Sequence, residues 1–316
     1  MATYLVAQLA HNCMSTSASP TRKRRRWPRV LLYLFLGLLA VWFTAVQAGW
    51  MAMRTPDAAW PDKLQERGQQ LSPHFYEIPD ATGRDIHAIQ ISAADTLPLV
   101  LFVHGSPGSA DAYLNYLADT ALSKVLRLAT MDRPGFGYTA GFGQPETSLA
   151  AQAQAVWAVA QELSPTHKVI LVGHSLGGPI ICRLAMDHPD AVAGLVLVAG
   201  SIDPDQEEHP WWQTAIDVLP LKWFTPKALW TSNHEIKPLE NELRAILPFW
   251  ATITCPVRVI HAQNDQLVPV ENAVFARRQL TNSVDLQVKI LPTGDHFILW
   301  NNQAVVREAI LDLSRL

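Results

Sequence analysis

Residues 169–178 read Val-Ile-Leu-Val-Gly-His-Ser-Leu-Gly-Gly, and they leave the chain few folds to choose from. The first four residues are an unbroken apolar run rich in β-branched side chains, which predicts a strand buried on both faces. Residues 179–186 read as a helix. Between them lies Gly173-His174-Ser175-Leu176-Gly177. A Gly-x-Ser-x-Gly pentapeptide arises by chance in many proteins; between a buried strand and a helix it predicts a nucleophile elbow. Such a turn holds its serine in a strained backbone conformation, and small neighbours let strand and helix pass closely. The hydroxyl then stands clear of the sheet, with a helix N-terminus behind it to favour developing negative charge.

The rest of the chain supplies a setting for that turn. Residues 74–79 and 85–92 read as strands joined by a hairpin at Asp80-Ala81-Thr82-Gly83, where glycine supplies a positive φ. Further strands are expected at 99–103, 125–131, 193–199, 256–261 and 285–291. Ser109 is placed to cap a helix running to about residue 117, and longer helices are expected at 146–163, 271–280 and 303–316. Strands alternating with helices predict an α/β fold with a mostly parallel sheet covered on both faces.

Charge is distributed unevenly. Residues 1–54 hold seven Lys or Arg and no acid, so the remaining 18 of 25 bases face 28 acids, a net of −10. So acidic a body argues against a nucleic-acid partner. Residues 22–26 are all basic, and no charge occurs from Val30 to Met53. The apolar residues 30–48 would span about 29 Å as a helix, close to the hydrocarbon thickness of a bilayer. The basic flank would stay on the cytoplasmic side and place the bulk of the chain across the membrane. Trp42, Trp50 and Trp60 fall towards or beyond the far end, where an interface would suit them. An uncleaved signal anchor is the first reading. A signal peptide cleaved after Val46-Gln47-Ala48 is the alternative, giving a secreted or periplasmic protein. Cys13, Cys182 and Cys255 have no metal-ligand spacing, and no His or carboxylate cluster suggests a metal.

Five short segments now stand in order: His104-Gly105-Ser106-Pro107-Gly108, Asp132-Arg133-Pro134-Gly135-Phe136-Gly137, the elbow, Asn264-Asp265-Gln266-Leu267-Val268-Pro269, and Gly294-Asp295-His296-Phe297. Each falls at a strand end. With them the chain, from about Phe75 onward, resembles the α/β-hydrolase fold superfamily, in particular serine hydrolases with a small helical cap. The resemblance implies Ser175 as nucleophile, His296 as its base and Asp265 as the acid orienting that base, in the chain order Ser, acid, His. Asp203, after the preceding strand, is the alternative acid. The same resemblance implies an oxyanion hole from the backbone N–H groups of Ser106 and Leu176. His174 is expected as a wall of the site. Asp132 and Arg133 are expected to brace their loop as a charge pair, and His87, His188 and His234 to lie on the surface. A serine rather than an aspartate at the elbow argues for acyl transfer to water and against epoxide or halide chemistry. No cofactor is implied.

About 55 residues separate the strand ending near 200 from the one beginning near 256, too many for a plain connection. They hold Trp211, Trp212, Trp223, Phe224, Trp230, Phe249 and Trp250, divided by prolines. A helical cap fits best, with aromatics serving mainly its own packing and Trp211 and Trp212 as candidate substrate contacts. Its Glu207, Glu208, Glu235, Glu240 and Glu242 are expected as a solvated face. The expected organisation is a basic tail over 1–29, a membrane anchor over 30–53, a juxtamembrane linker or short helix over 54–72, a catalytic domain from 73–200 and 252–316, and a cap over 201–251. The favoured activity is hydrolysis of an ester or related acyl bond in a small, largely apolar substrate. A proline-iminopeptidase-like aminopeptidase or amidase, reading an amine through cap glutamates, is one alternative, although such relatives carry His-Gly-Gly-Pro-Gly where this chain has His-Gly-Ser-Pro-Gly. A catalytically silent ligand-binding homologue is the other.

Overall fold

A computed structural model of the chain describes residues 27–49, 52–208, 210–218 and 221–316. The basic run 22–26, Cys13, Trp50 and His209 lie outside the described residues. Two compact units are distinguished, 1–42 and 43–316. In the first, helix α1 (Trp27–Gln47) begins; it starts three residues before the expected span and stops six residues short of it. Its 21 residues are long and apolar enough to cross a membrane, and its side chains are almost all exposed.

The second unit is built on an eight-stranded sheet. After α2 (Trp60–Gln65) come β1 (His74–Pro79), β2 (Asp85–Ile91) and β3 (Leu99–Val103), then α3 (Leu114–Leu117), α4 (Thr120–Ser123) and β4 (Arg127–Met131). Helix α5 (Leu149–Leu163), β5 (Val169–His174), α6 (Gly177–Asp187) and β6 (Val192–Val198) follow. Cap helices α7 (Trp212–Ala215), α8 (Leu221–Phe224), α9 (Lys227–Ile236) and α10 (Leu239–Ile246) precede β7 (Val257–Ala262). The chain ends with α11 (Glu271–Gln279), β8 (Leu286–Leu291), α12 (Ile298–Asn301) and α13 (Gln303–Leu313). The strand order is β1-β2-β4-β3-β5-β6-β7-β8. Only β2 runs against its neighbours; every pair from β4 to β8 is parallel. The expected α/β architecture is therefore present, with all eight strands.

Pleating explains the two-sided core. Along β3, Leu99, Leu101 and Val103 enter one apolar cluster while Val100 and Phe102 enter the other. On the first face α5, α6 and α11 cover the sheet, with Val156, Ile180 and Phe275 among the contributors. On the second face lie α2, the Tyr113–Tyr116 segment and α13. Helix α5 starts where Ser148 caps it, its hydroxyl accepting from the Ala151 amide. The β1–β2 hairpin turns at Gly83, φ 79°, with Asp80 Oδ1 accepting from the Thr82 and Arg84 amides.

Two expectations are corrected. The segment 54–72 contains the short helix α2, whose Trp60 and Leu64 are each 1 % exposed and belong to the core of the catalytic unit. Trp60 is thus no interface anchor. The cap aromatics are not mainly internal packing either: Trp250 is buried, but Trp211, Trp212, Trp223 and Phe249 are exposed. Cys182 and Cys255 are both free thiols.

Candidate active site

Strand β5 delivers Ser175 at its C-terminal end. Ser175 has φ 53°, in the left-handed region that serine seldom occupies. The turn is closed by Gly178 N–H donating to the Ser175 carbonyl at 2.9 Å, and the Ser175 amide donates to Val198 O at 3.0 Å. The flanking glycines are demanded by crowding. A Cβ on Gly173 would lie 2.4 Å from the Gly177 carbonyl oxygen, and one on Gly177 would lie 2.2 Å from that of Val103. Helix α6 starts two residues after the serine, so its N-terminal end lies against the turn.

Two loops bring the other groups to the same end of the sheet. His296 follows β8 and Asp265 follows β7. His296 Nδ1 donates to Asp265 Oδ2 at 2.8 Å, which leaves Nε2 to accept a proton. Asp265 Oδ1 accepts from the amides of Leu267 (2.9 Å) and Val268 (2.8 Å). Burial works to raise the Asp265 pKa, but the His296 hydrogen bond and the two amides outweigh it and hold the carboxyl below its ordinary range. His261 steadies that loop by donating from Nε2 to Val268 O at 2.8 Å. Asp203 lies elsewhere, capping the turn at 204–206 and facing Arg278 at 3.8 Å.

Ser175, His296, Ser106 and Leu176 all line one cavity of about 920 Å³. Its floor is the loop after β3, where Gly105 packs so closely that an added Cβ would meet the Ser175 Cβ at 2.8 Å. The direction of the Ser106 N–H is fixed from behind. It shares a peptide plane with the Gly105 carbonyl, which accepts from Arg133 Nη2 (2.9 Å) and from His104 Nδ1 (2.7 Å). Because His104 donates from Nδ1, its bare Nε2 accepts from the Arg133 amide at 3.0 Å. Burial and the adjacent guanidinium push the His104 pKa down to about 3, in keeping with a neutral ring.

Arg133 does not pair with Asp132. Its guanidinium is fully buried and grips Glu235 of cap helix α9 through two bonds, of 2.8 and 2.9 Å. It also donates to His104 O at 2.8 Å and to Gln152 Oε1, and Gln152 in turn reaches Glu235. One side chain therefore ties the cap to the loop that carries Ser106. Asp132 instead accepts from His87 Nδ1 at 2.8 Å and from the Ala110 and Tyr138 amides. His87 is 1 % exposed, not a surface histidine; its Nε2 also lies 3.1 Å from Asp57, close enough for charge attraction but not aligned as a hydrogen bond. Glu235, 2 % exposed, is likewise no part of a solvated cap face.

Among the expected substrate contacts, His174 and Trp212 line the cavity. His174 donates from Nε2 to the His296 carbonyl at 3.1 Å, so it also holds the neighbouring loop. Trp211 is 81 % exposed and is not part of the lining. Met53, from the segment read as the end of the membrane span, does line the cavity.

A family model for the alpha/beta hydrolase fold matches residues 98–251. The chain has the α/β-hydrolase fold. Among curated relatives of this hydrolase, "Putative carbamate hydrolase RutD" of Klebsiella pneumoniae (strain 342) is 27 % identical over 232 residues, covering 63 % of this chain and 84 % of that protein. Among solved structures, a membrane phospholipase A described as a bacterial virulence factor matches with a TM-score of 0.61 at 20 % identity, over 92 % of this chain and 99 % of that one. The esterase EaEST of Exiguobacterium antarcticum matches with a TM-score of 0.60 at 18 % identity, over 77 % and 99 %. These structural likenesses concern the fold.

The buried histidines are expected to make the hydrolase less stable in acid. Burial, reinforced by the charge of His296, pushes the His174 pKa down to about 3, matching His104. Between about 3 and the ordinary value of 6.5 the unfolded chain binds protons that the folded one excludes, so stability rises with pH across that window. Each proton contributes about 1.4 kcal/mol per pH unit. His87 acts oppositely: burial lowers its pKa, but Asp132 more than offsets this, so its contribution is full in acid and fades as pH rises through the raised value. Urea midpoints are expected to fall between pH 7 and 5, and His174→Gln to flatten the fall; an equal slope in the variant would contradict neutral burial.

Proposed function

We propose that this α/β hydrolase is a serine hydrolase cleaving an ester or related acyl bond of a small, largely apolar substrate. The observation that supports the reading is the His296–Asp265 hydrogen bond, with His296 lining the same cavity as the elbow serine. His296 Nε2 takes the Ser175 hydroxyl proton as Oγ bonds to the substrate carbonyl carbon. The amides of Ser106 and Leu176 receive the charge that develops on the carbonyl oxygen. Collapse breaks the bond to the leaving alcohol, which takes the proton from His296, and an acyl-enzyme remains. Water then repeats the sequence, releasing the acid and restoring Ser175. Asp265 keeps the imidazole in the tautomer this requires. A cavity of about 920 Å³ suits a medium-sized acyl compound.

The chain is read as membrane-anchored through α1, with the catalytic unit on the non-cytoplasmic side; secretion after cleavage is the alternative. A second reading, hydrolysis of an amide or carbamate with a recognised amine, is favoured by one observation: Glu207 and Glu208 line the same cavity. p-Nitrophenyl esters of graded acyl length, assayed against aminoacyl anilides, separate the two. Esters are expected to be turned over at least about tenfold faster, in kcat/KM, than any anilide. A preference for anilides that Glu207→Gln abolishes would replace the ester reading with the amine one.

A further inference from the structure

The cavity opens through a strongly apolar rim. Met53, Trp212, Leu267, Phe297 and Trp300 all line it, and they are 43 %, 50 %, 67 %, 48 % and 36 % exposed. They come from four separate places: the segment before α2, cap helix α7, the loop after β7, and α12 with the residue before it. Single exposed apolar side chains are ordinary, but five converging on one opening are not. The cap also exposes Trp211, Val218, Leu221 and Trp223, all about half exposed or more, and Trp211 adjoins the rim residue Trp212 in sequence.

The chain itself indicates what covers this surface. Met53 lies six residues beyond Gln47, the last residue of α1, and six residues reach at most about 20 Å. The segment is fastened at the opening. Ser109 Oγ donates to Met53 O at 2.5 Å, Arg54 donates to Gly137 O at 2.6 Å, and Thr55 holds Asp111 through both its amide and its hydroxyl. The Arg54 guanidinium also lies over the rings of Tyr138 and Phe142. With α1 across a bilayer, the connection keeps the opening within that reach of the lipid surface. Tryptophan is the side chain best suited to that interface.

We infer that the apolar rim docks on the bilayer that α1 spans, and that the acyl substrate is a membrane amphiphile taken directly from the lipid. This rests on the serine-hydrolase reading above and adds the class and source of its substrate. The reaction is unchanged: the ester C–O bond of the amphiphile breaks, its acyl group passes to Ser175 Oγ and then to water, and the alcohol portion leaves with a proton.

The test uses the full chain reconstituted in phosphatidylcholine–phosphatidylglycerol vesicles. Fatty-acid release from a monoacylglycerol dissolved in the vesicles is measured beside turnover of water-soluble p-nitrophenyl butyrate. The double variant Trp211→Glu/Trp223→Glu, which alters no cavity-lining residue, is expected to lose about tenfold or more of the vesicle activity. Its butyrate turnover should stay within about twofold, and Trp211→Phe/Trp223→Phe should retain both activities. Equal loss of both activities, or loss of neither, overturns the inference. So does a change of particle mass in mild detergent from dimer to monomer, which would assign the face to a second copy of the chain. Ser175→Ala in the same assays keeps the two levels apart: if it retains both activities the serine reading falls, whereas if it loses both while the double variant loses neither, only the membrane inference falls.

Discussion

Ser175→Ala is expected to lower kcat/KM on the best p-nitrophenyl ester by about 10⁵–10⁶-fold, while the urea midpoint of the protein moves little. In the proposed mechanism the Ser175 hydroxyl forms the acyl-enzyme, so removing it leaves water as the attacking species. What remains would come from binding and from the amides of Ser106 and Leu176. His296→Ala should lose nearly as much, because a serine with no base is a weak nucleophile. The double variant should be scarcely worse than either single one, since the two residues act in one step and their effects do not add. Steady-state kinetics on the three variants, extrapolated to zero contaminant, reads this directly. Losses that multiplied would mean that the two side chains act in separate steps.

The second large effect concerns a residue far from the reacting atoms. Glu235→Ala removes one half of an ion pair that has no exposed surface on either side. The Arg133 guanidinium would keep its bonds to the His104 and Gly105 carbonyls and to Gln152 but lose the carboxylate it is paired with. Breaking such a pair from one side costs about 3–5 kcal/mol, mostly the burden of the uncompensated charge. The effect should reach chemistry too, because Arg133 aims the peptide plane that carries the Ser106 amide. A fall in kcat with little change in KM is therefore expected at temperatures where the variant remains folded. Glu235→Gln gives up the charge and keeps one accepting oxygen for the guanidinium, its NH2 group being unable to accept the second bond, so it should recover only part of both losses. Denaturant unfolding and kinetics on the two variants check this. If Glu235→Ala were as stable as the unaltered chain, the cap would not be anchored through Arg133.

Much of this arrangement is legible along the chain. Buried parallel strands announce themselves as apolar runs, so all eight appear close to their observed limits. The elbow is legible because its glycines, its strand and its helix are contiguous. Asp265 and His296 are legible through their position at strand ends in the expected order. Most of the unread features share one property: they depend on a partner distant in the chain. Trp60 looks like an interface residue until the sheet that buries it is known. Nothing near Glu235 distinguishes it from Glu240 or Glu242, and Arg133, its partner, lies 102 residues away. His87 meets Asp132 only because β2 pairs with β4. Trp211 and Trp212 differ for a local reason: neighbours in a helical turn point about 100° apart, so one can face a cavity while the other faces outward.

Incubation with a fluorophosphonate, followed by mass mapping of the modified peptide, addresses the nucleophile without any assumption about the natural substrate. The expected result is one phosphonyl group per chain, carried on Ser175, absent from Ser175→Ala and strongly reduced in His296→Ala. An unaltered protein that takes up no label, or a Ser175→Ala protein that takes up as much, would contradict it.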